Sequence, residues 1–483
     1  AGQRRAASYS TDVLMPGSNA LASSFRDPAG FLYCRDGCLY RQINTKYSTD
    51  YDLLNSSGLY ATLVKAKLLI PHTEVGIEFA ENSLAYKVIR PELIQTISYP
   101  YEWCFSQLKD AALTTIRIQR IALKFGLVLK DASAYNIQFH HGKPIFIDTL
   151  SFAKYREGEP WVAYMQFCQH FVAPLALMSF KDCRLAQLSL NHIDGVPLDL
   201  ASKLLPRRSY LKYSLLVHLH LHAKAQQKYA NSSDTYVTSV KPKRIEPRAY
   251  SAFLQGLHNT IKALHWKFPE TEWGDYYSTT NYQDHSMRHK ETLVEEFLSS
   301  VAMDRGASVV HDLGANDGHF SRIATRLGFS VVSQDIDPVA VEKNYLQTKS
   351  NQEENLLPLL LDLTNPSPAI GWSSAERMSF VERLEGNIVL ALAFIHHLAI
   401  SNNVPMGLIA EFFGGLATHL IIEFVPKSDS QVKRLLASRK DIFDEYDKEQ
   451  FEIEFSIFFS IRKQVDVEDS ERTLYLMTRK KEV

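Results

Sequence analysis

The sequence predicts an α/β protein: a mostly parallel sheet with an antiparallel edge hairpin in the C-terminal part, preceded by an α+β domain. Three observations predict it. From about Ser300, near-continuous apolar runs of strand length alternate with helical segments, the pattern of a parallel sheet covered on both faces. The first run ends in a glycine-bearing turn, "HDLGANDG" at 311 to 318, that leads directly into a helical pattern. At 483 residues the chain also exceeds what one hydrophobic core sustains, since cores stop growing near roughly 250 to 300 residues. Domains are expected over residues 1–230 and 301–483, with a linker and helical lid segment over 231–300.

Cys34 and Cys38 flank Asp36-Gly37 in "FLYCRDGCLYRQI", a strong hairpin signal. The runs "VGIEFA" (Val75 to Ala80) and "LAYKVIRP" (Leu84 to Pro91) read as strands. From Phe105 to Phe125, Leu108, Ala111, Ala112, Ile116, Ile118 and Ile121 form one apolar helical stripe. "IQFHHGKPIFID" (Ile137 to Asp148) reads as a second hairpin, and mostly helical sequence continues to about Tyr229. In "VHLHLH", His218, His220 and His222 would share one face of a strand, whereas a helix would align only His218 with His222. No acid or cysteine cluster accompanies them, so no metal site is expected there. "KPKRIEPR" (Lys241 to Arg248) reads as a solvated linker. Strands of the main sheet are then expected to start at Ser308, Phe329, Leu356, Asn387 and His419. "FEIEFSIFFSI" (Phe451 to Ile461) and "RTLYLM" (Arg472 to Met477) suit the closing antiparallel hairpin.

Composition narrows the function. Lys and Arg number 53 against 54 Asp and Glu, so no global positive field draws in a polyanion, which lowers the nucleic-acid option. Five cysteines form a sparse, odd set that fits a reducing compartment. The opening "AGQRRAASYSTD" has no apolar run behind it, and nothing approaches the ~18 apolar residues of a spanning helix. A cytoplasmic protein without a membrane span is expected.

In an open parallel sheet, ligands bind beyond the carboxyl ends of the strands where the chain order reverses. "HDLGANDG" sits at such a point, and Gly314 and Gly318 permit close backbone approach. A dinucleotide loop would read G-x-G-x-x-G and aim a helix N-terminus at a pyrophosphate. Here the spacing is G-x-x-x-G, and the loop carries Asp312 and Asp317. Carboxylates repel phosphates but attract a sulfonium and an amino group.

On these residues the C-terminal part, from roughly Thr271 onward, resembles the class I S-adenosylmethionine-dependent methyltransferases, whose first motif is usually written D-x-G-x-G-x-G. Asp312, Gly314 and Gly318 match, and Asn316 stands at the middle glycine, where Asn tolerates the left-handed conformation. The resemblance implies a Rossmann-like sheet holding S-adenosyl-L-methionine. Asp335 would accept from the ribose hydroxyls, with Asp337 as the fallback, and Asp362 would meet the adenine amino group with Leu363 beside the ring. The alternative is that each acid serves only as a helix cap. Asn387 stands where the family often has an acid. His396 or His397, at the end of the fourth strand, would act as a base toward an acceptor hydroxyl or remain a packed core histidine. Glu423 ends the fifth strand and would bind acceptor or cap a helix. Trp273, Tyr276, Tyr277 and Tyr282 would close over the cofactor as a lid or pack beneath a helix. No metal is required.

The N-terminal stretch "LKDASAYNIQFHHGKPIFIDTLSF" is similar to the catalytic and metal-binding loops of kinase-like phosphotransferases. The similarity implies Asp131 as the base, with Asn136 and Asp148 holding magnesium for ATP. Leu129 replaces the usual histidine, Thr149-Leu150 replaces Phe-Gly, no glycine-rich phosphate loop precedes, and Lys87 is a weak stand-in for the strand lysine. The expected function is methyl transfer to an O- or N-nucleophile of a small-molecule or saccharide acceptor. The alternatives are a bifunctional kinase and methyltransferase, and a non-catalytic scaffold. Oligomeric state is not legible.

Overall fold

Two units account for the computed structural model, one formed by Ala1–Lys267 with Ala369–Met378 and the other by Phe268–Pro368 with Ser379–Val483. The structure describes residues 20–222, 245–269, 284–302, 309–384, 387–437 and 440–480.

In the first unit, β1 (Gly30–Arg35) and β2 (Cys38–Asn44) form the expected hairpin, with Asp36 and Gly37 both left-handed at φ 51° and 71°. With β3 (His72–Val75) and β4 (Ala85–Pro91) they make an antiparallel sheet in the order β1-β2-β4-β3. The run from Val75 is therefore only partly strand: Ile77–Phe79 is a 3-10 turn. Helix Phe105–Lys124 buries Leu108, Ala111, Ala112, Ile116 and Ile118, as its stripe requires. Beyond it, β5 (Leu127–Leu129) pairs with β8 (Phe152–Lys154), and β6 (Ile137–His140) with β7 (Lys143–Phe146).

The three alternating histidines lie on neither a strand nor a regular α-helix but on a π-helical turn, Leu216–Leu221, with His222 just beyond it. Hydroxyls explain two of them: Tyr164 meets His218 at 2.7 Å, and Ser202 and Ser209 meet His220 at 2.7 and 2.9 Å. The proline-bearing run ends in a helix, since Pro247 opens Pro247–Ala263 at a position where its missing N–H costs nothing. That helix joins the first unit through Tyr250, whose hydroxyl accepts from Gln119 at 3.0 Å. Ala369–Met378 joins it through an Arg26–Glu376 ion pair, a hydrogen bond from the Met378 amide to Tyr99, and Arg377 over the Tyr135 ring at 4.5 Å.

The second unit holds a seven-stranded sheet of β9 (Val309–Leu313), β10 (Ser330–Asp335), β11 (Leu356–Leu360), β12 (Asn387–Ala391), β13 (Ala417–Phe424), β14 (Phe459–Asp466) and β15 (Thr473–Arg479). Its order is β11-β10-β9-β12-β13-β15-β14, with β15 antiparallel to both neighbours and the other described pairs parallel. Alternation along each strand feeds two cores. Val389, Ala391, Leu420, Ile422, Tyr475 and Met477 enter one; Ile388, Leu390, Ile421, Leu474 and Leu476 enter the other. The run from Phe451 needs correcting, because Lys448–Phe458 is a helix and only Phe459 onward is strand. Asp447 caps that helix by accepting from the Gln450 amide, and Phe451 and Phe455, four apart, bury one face while Ile453 and Ile457 stay exposed.

Candidate functional site

The chain order reverses between β9 and β12, which lie side by side while β10 and β11 continue on the other flank of β9. Beyond the carboxyl ends of these strands is a cavity of about 220 Å³. Its wall includes Asp312, Gly314, Asn316, Asp335, Asp362, Leu363 and His397 from the sequence reading. Gly318, His396 and Glu423 are not on it.

Backbone geometry makes the floor. Gly314, Asn316 and Gly318 are left-handed at φ 77°, 53° and 83°, and the amides of Gly314 and Ala315 both donate to the Gln334 carbonyl. A Cβ on Gly314 would lie 2.7 Å from the Phe394 ring, so glycine there keeps the loop against the wall. Asn316 completes the turn as its amide donates to Asp335 Oδ2 at 2.8 Å.

The acids sit at different depths. Asp312 is buried and accepts from the Ser321 hydroxyl at 2.6 Å; burial chiefly, with the Asp335 carboxylate adding to it, raises its pKa to about 6. Asp335 accepts from the amides of Asn316 and Asp337 at 2.8 Å each, yet burial still lifts it to about 6. Asp337, the fallback, caps helix Pro338–Asn351 by accepting from the Val339 amide, and its buried Oδ2 has no partner among the described residues. Asp362 is half-buried and accepts from the amide and hydroxyl of Thr364 at 2.9 and 2.6 Å.

The two histidines lie beyond β12 rather than at its end, in a helical turn where His396 immediately precedes the π-helical stretch His397–Ser401, and there they separate. His397 reaches the wall, and burial lowers its pKa to about 4, so it is neutral at physiological pH. His396 is 2% exposed, its Nδ1 lacks a partner among the described residues, and burial holds its pKa well below the usual value. Glu423 is fully enclosed and directs Oε2 to Lys290 Nζ at 2.7 Å and to the Ala393 amide at 2.6 Å.

Lys290 was not legible as a site residue, yet it is both in that ion pair and on the cavity wall, with its ammonium 4.9 Å from the Phe320 ring centroid. A signal existed: Met287, Lys290, Val294 and Phe297 fall on one helical stripe, where a lysine is out of character. Ala393, Phe394, Ser401 and Asn402 also line the wall unannounced. Trp273, Tyr276, Tyr277, Tyr282 and the side chain of Asn387 lie outside the described residues.

In the first unit Asp131, Asn136 and Asp148 do come together. Asp131 accepts from the Ser133 amide at 2.9 Å, and burial followed by the charge of Asp148 raises its pKa. Asn136 donates to Ser151 at 3.3 Å. Asp148 is already engaged by the buried Arg41 guanidinium and by the Ser151 hydroxyl.

No family model matches the chain. It is 34% identical over 469 residues to the nodulation protein NoeA of Rhizobium meliloti strain 1021, across 96% of this chain and 97% of that relative. Among solved structures, WbdD shares 18% identity at a TM-score of 0.29 over 41% of this chain and 40% of its own. The magnesium protoporphyrin IX methyltransferase of Synechocystis PCC 6803, crystallised with SAH, shares 14% at a TM-score of 0.30 over 42% and 91%. Scores this low carry no argument about fold or function.

Proposed function

The chain belongs to the family of the nodulation protein NoeA, and we propose that its second unit is an S-adenosylmethionine-dependent methyltransferase for a small-molecule or saccharide acceptor that functions in nodulation. The observation that carries the reading is one cavity walled by Asp312 and Asp335, both buried, at the tips of adjacent strands. Such a wall favours a cationic nucleoside over a phosphorylated one. The residues present fit the cofactor: a left-handed turn at Gly314 and Asn316 on the wall, two buried carboxylates that would meet cationic and hydroxyl groups, and Asp362 with Leu363 that would lie beside a flat ring. The bound cofactor would supply an electrophilic methyl group. The protein's part is to align the acceptor and keep the path dry, with Phe394, Leu398 and Leu392 as apolar wall. His397, neutral and on the wall, would be the residue to accept an acceptor proton in this reading.

Calorimetric titration with S-adenosylmethionine tests the reading. Binding at submillimolar cofactor is expected, and none would leave the non-catalytic scaffold. The affinity should also depend on pH in a defined direction. Burial pushes the Asp312 and Asp335 carboxyls up to about 6, and both must be ionised to hold a cation. Affinity should therefore climb about tenfold per pH unit for each carboxylate that ionises on binding, below about pH 6, and level off above it. Titrations at about pH 5 and about pH 7.5 in buffers of different ionisation enthalpy would measure the proton release. A flat profile would remove these acids from the binding step.

For the first unit we favour acceptor binding over phosphoryl transfer, because Arg41 neutralises the carboxylate that a magnesium ion would need. ATP with magnesium should leave the thermal unfolding of the wild-type chain unchanged. A nucleotide-dependent rise in the midpoint, abolished by Asp148→Ala, would restore the bifunctional reading.

A further inference from the structure

We propose that Glu92, His140 and His141 form a zinc site on the first unit. His140 is the last residue of β6, and His141 with Gly142 makes the two-residue turn before β7. Neighbours on a strand project to opposite faces. Here His141 leaves the strand conformation at φ 48°, followed by Gly142 at 69°, and the two imidazoles come to the same side with centroids 4.0 Å apart and planes at 52°. Glu92, just beyond β4, brings Oε1 to 3.0 Å from His140 Nε2 and is anchored by its amide to the Pro71 carbonyl.

One ligand atom from each of the three residues lies within 4.8 Å of the others. Ligands of a tetrahedral zinc at bonds of about 2.0–2.1 Å stand roughly 3.3 Å apart. The Glu92–His140 edge, now a 3.0 Å hydrogen bond, is close to that spacing, and the exposed His141 would have to close the remaining gap from within 4.8 Å. Two imidazoles and a carboxylate suit zinc, while magnesium and calcium want oxygen ligands throughout. Three protein ligands leave a fourth position for water or for an incoming group. A metal here would clasp the β6–β7 turn to the end of β4. The His218, His220 and His222 set offers no comparable arrangement, because hydroxyl partners take up His218 and His220.

The test is calorimetric titration of the full chain with zinc chloride, for wild type, His140→Ala, Glu92→Gln and His141→Asn. Asn tolerates the left-handed turn, so the last variant removes a ligand without straining the backbone. The expected result is one zinc site in wild type that is lost in His140→Ala and His141→Asn and weakened in Glu92→Gln. Cobalt(II) should give the intense visible band of a tetrahedral centre in wild type and not in the two histidine variants. Equal zinc stoichiometry in wild type and His141→Asn, or no wild-type site at all, would overturn the proposal. A Glu92–His140 hydrogen bond with His141 beside it, without metal affinity, is then what remains.

Discussion

Asp335→Ala should weaken S-adenosylmethionine binding by at least about a hundredfold while leaving the fold intact. A ribose diol donating to an ionised carboxylate makes two charge-assisted hydrogen bonds, each worth about 1.5–3 kcal/mol. The substitution removes both, together with half of the paired negative charge at the strand tips. Stability should change little, because two effects oppose one another. Burial holds Asp335 near pKa 6, so ionising it at neutral pH costs the folded state about 3 kcal/mol relative to an ordinary aspartate. Alanine removes that cost but strands the amides of Asn316 and Asp337, which the carboxylate now accepts from, at about 1–3 kcal/mol each. Calorimetry for affinity and thermal unfolding for stability separate the two quantities. If the affinity survives, Asp335 does not hold the ribose.

The same balance gives the unliganded unit an unusual pH response. An acid whose folded pKa is raised binds more protons in the folded state between its unfolded and folded values. Asp312 and Asp335 therefore make the empty unit less stable as pH climbs from about 4 to about 6.

How much of this was legible depends on the kind of signal. The five parallel strands were readable because each contains a short apolar run buried on both faces, as in Ile388–Ala391 and Leu420–Ile422. The acids at their tips were readable because a charged residue that ends such a run stands out. Helix Lys448–Phe458 was misread because the spacing of Phe451 and Phe455 satisfies both period 2 and a helical four-residue step, and its capping Asp447 was the overlooked arbiter. Between His396 and His397 the sequence could not choose, since two residues past the end of β12 the chain turns at the left-handed Ala393 (φ 50°) into a helical turn that no local pattern announced. Lys290 and Glu423, separated by 133 positions, meet only through the tertiary fold. Arg41, one of two arginines in that hairpin, became informative only once Asp148 was seen against it.

Glu423→Ala should be the most destabilising single change in the second unit, at about 3–5 kcal/mol, the usual cost of stripping one partner from an enclosed ion pair. Glu423 and Lys290 are 0% and 2% exposed at their side chains, and Arg472 approaches the same carboxylate at 3.9 Å. Burial already lowers the Lys290 pKa, and Glu423, more than Asp312, pushes it back up. Without that carboxylate the amine falls further below its unfolded value. The unfolded chain then binds the extra proton, so the variant should regain stability as pH rises toward the unfolded lysine pKa of about 10.4. Thermal unfolding across alkaline pH would show that recovery, which simple loss of packing would not. Glu423 also accepts from the Ala393 amide, which holds a left-handed residue on the cavity wall. Glu423→Gln keeps an acceptor for that amide, so pairing it with Lys290→Met should recover most of the lost stability and retain cofactor affinity. Glu423→Ala with Lys290→Met should recover less of both. If the two double variants behave alike, the Ala393 contact is incidental and the carboxylate serves the lysine alone.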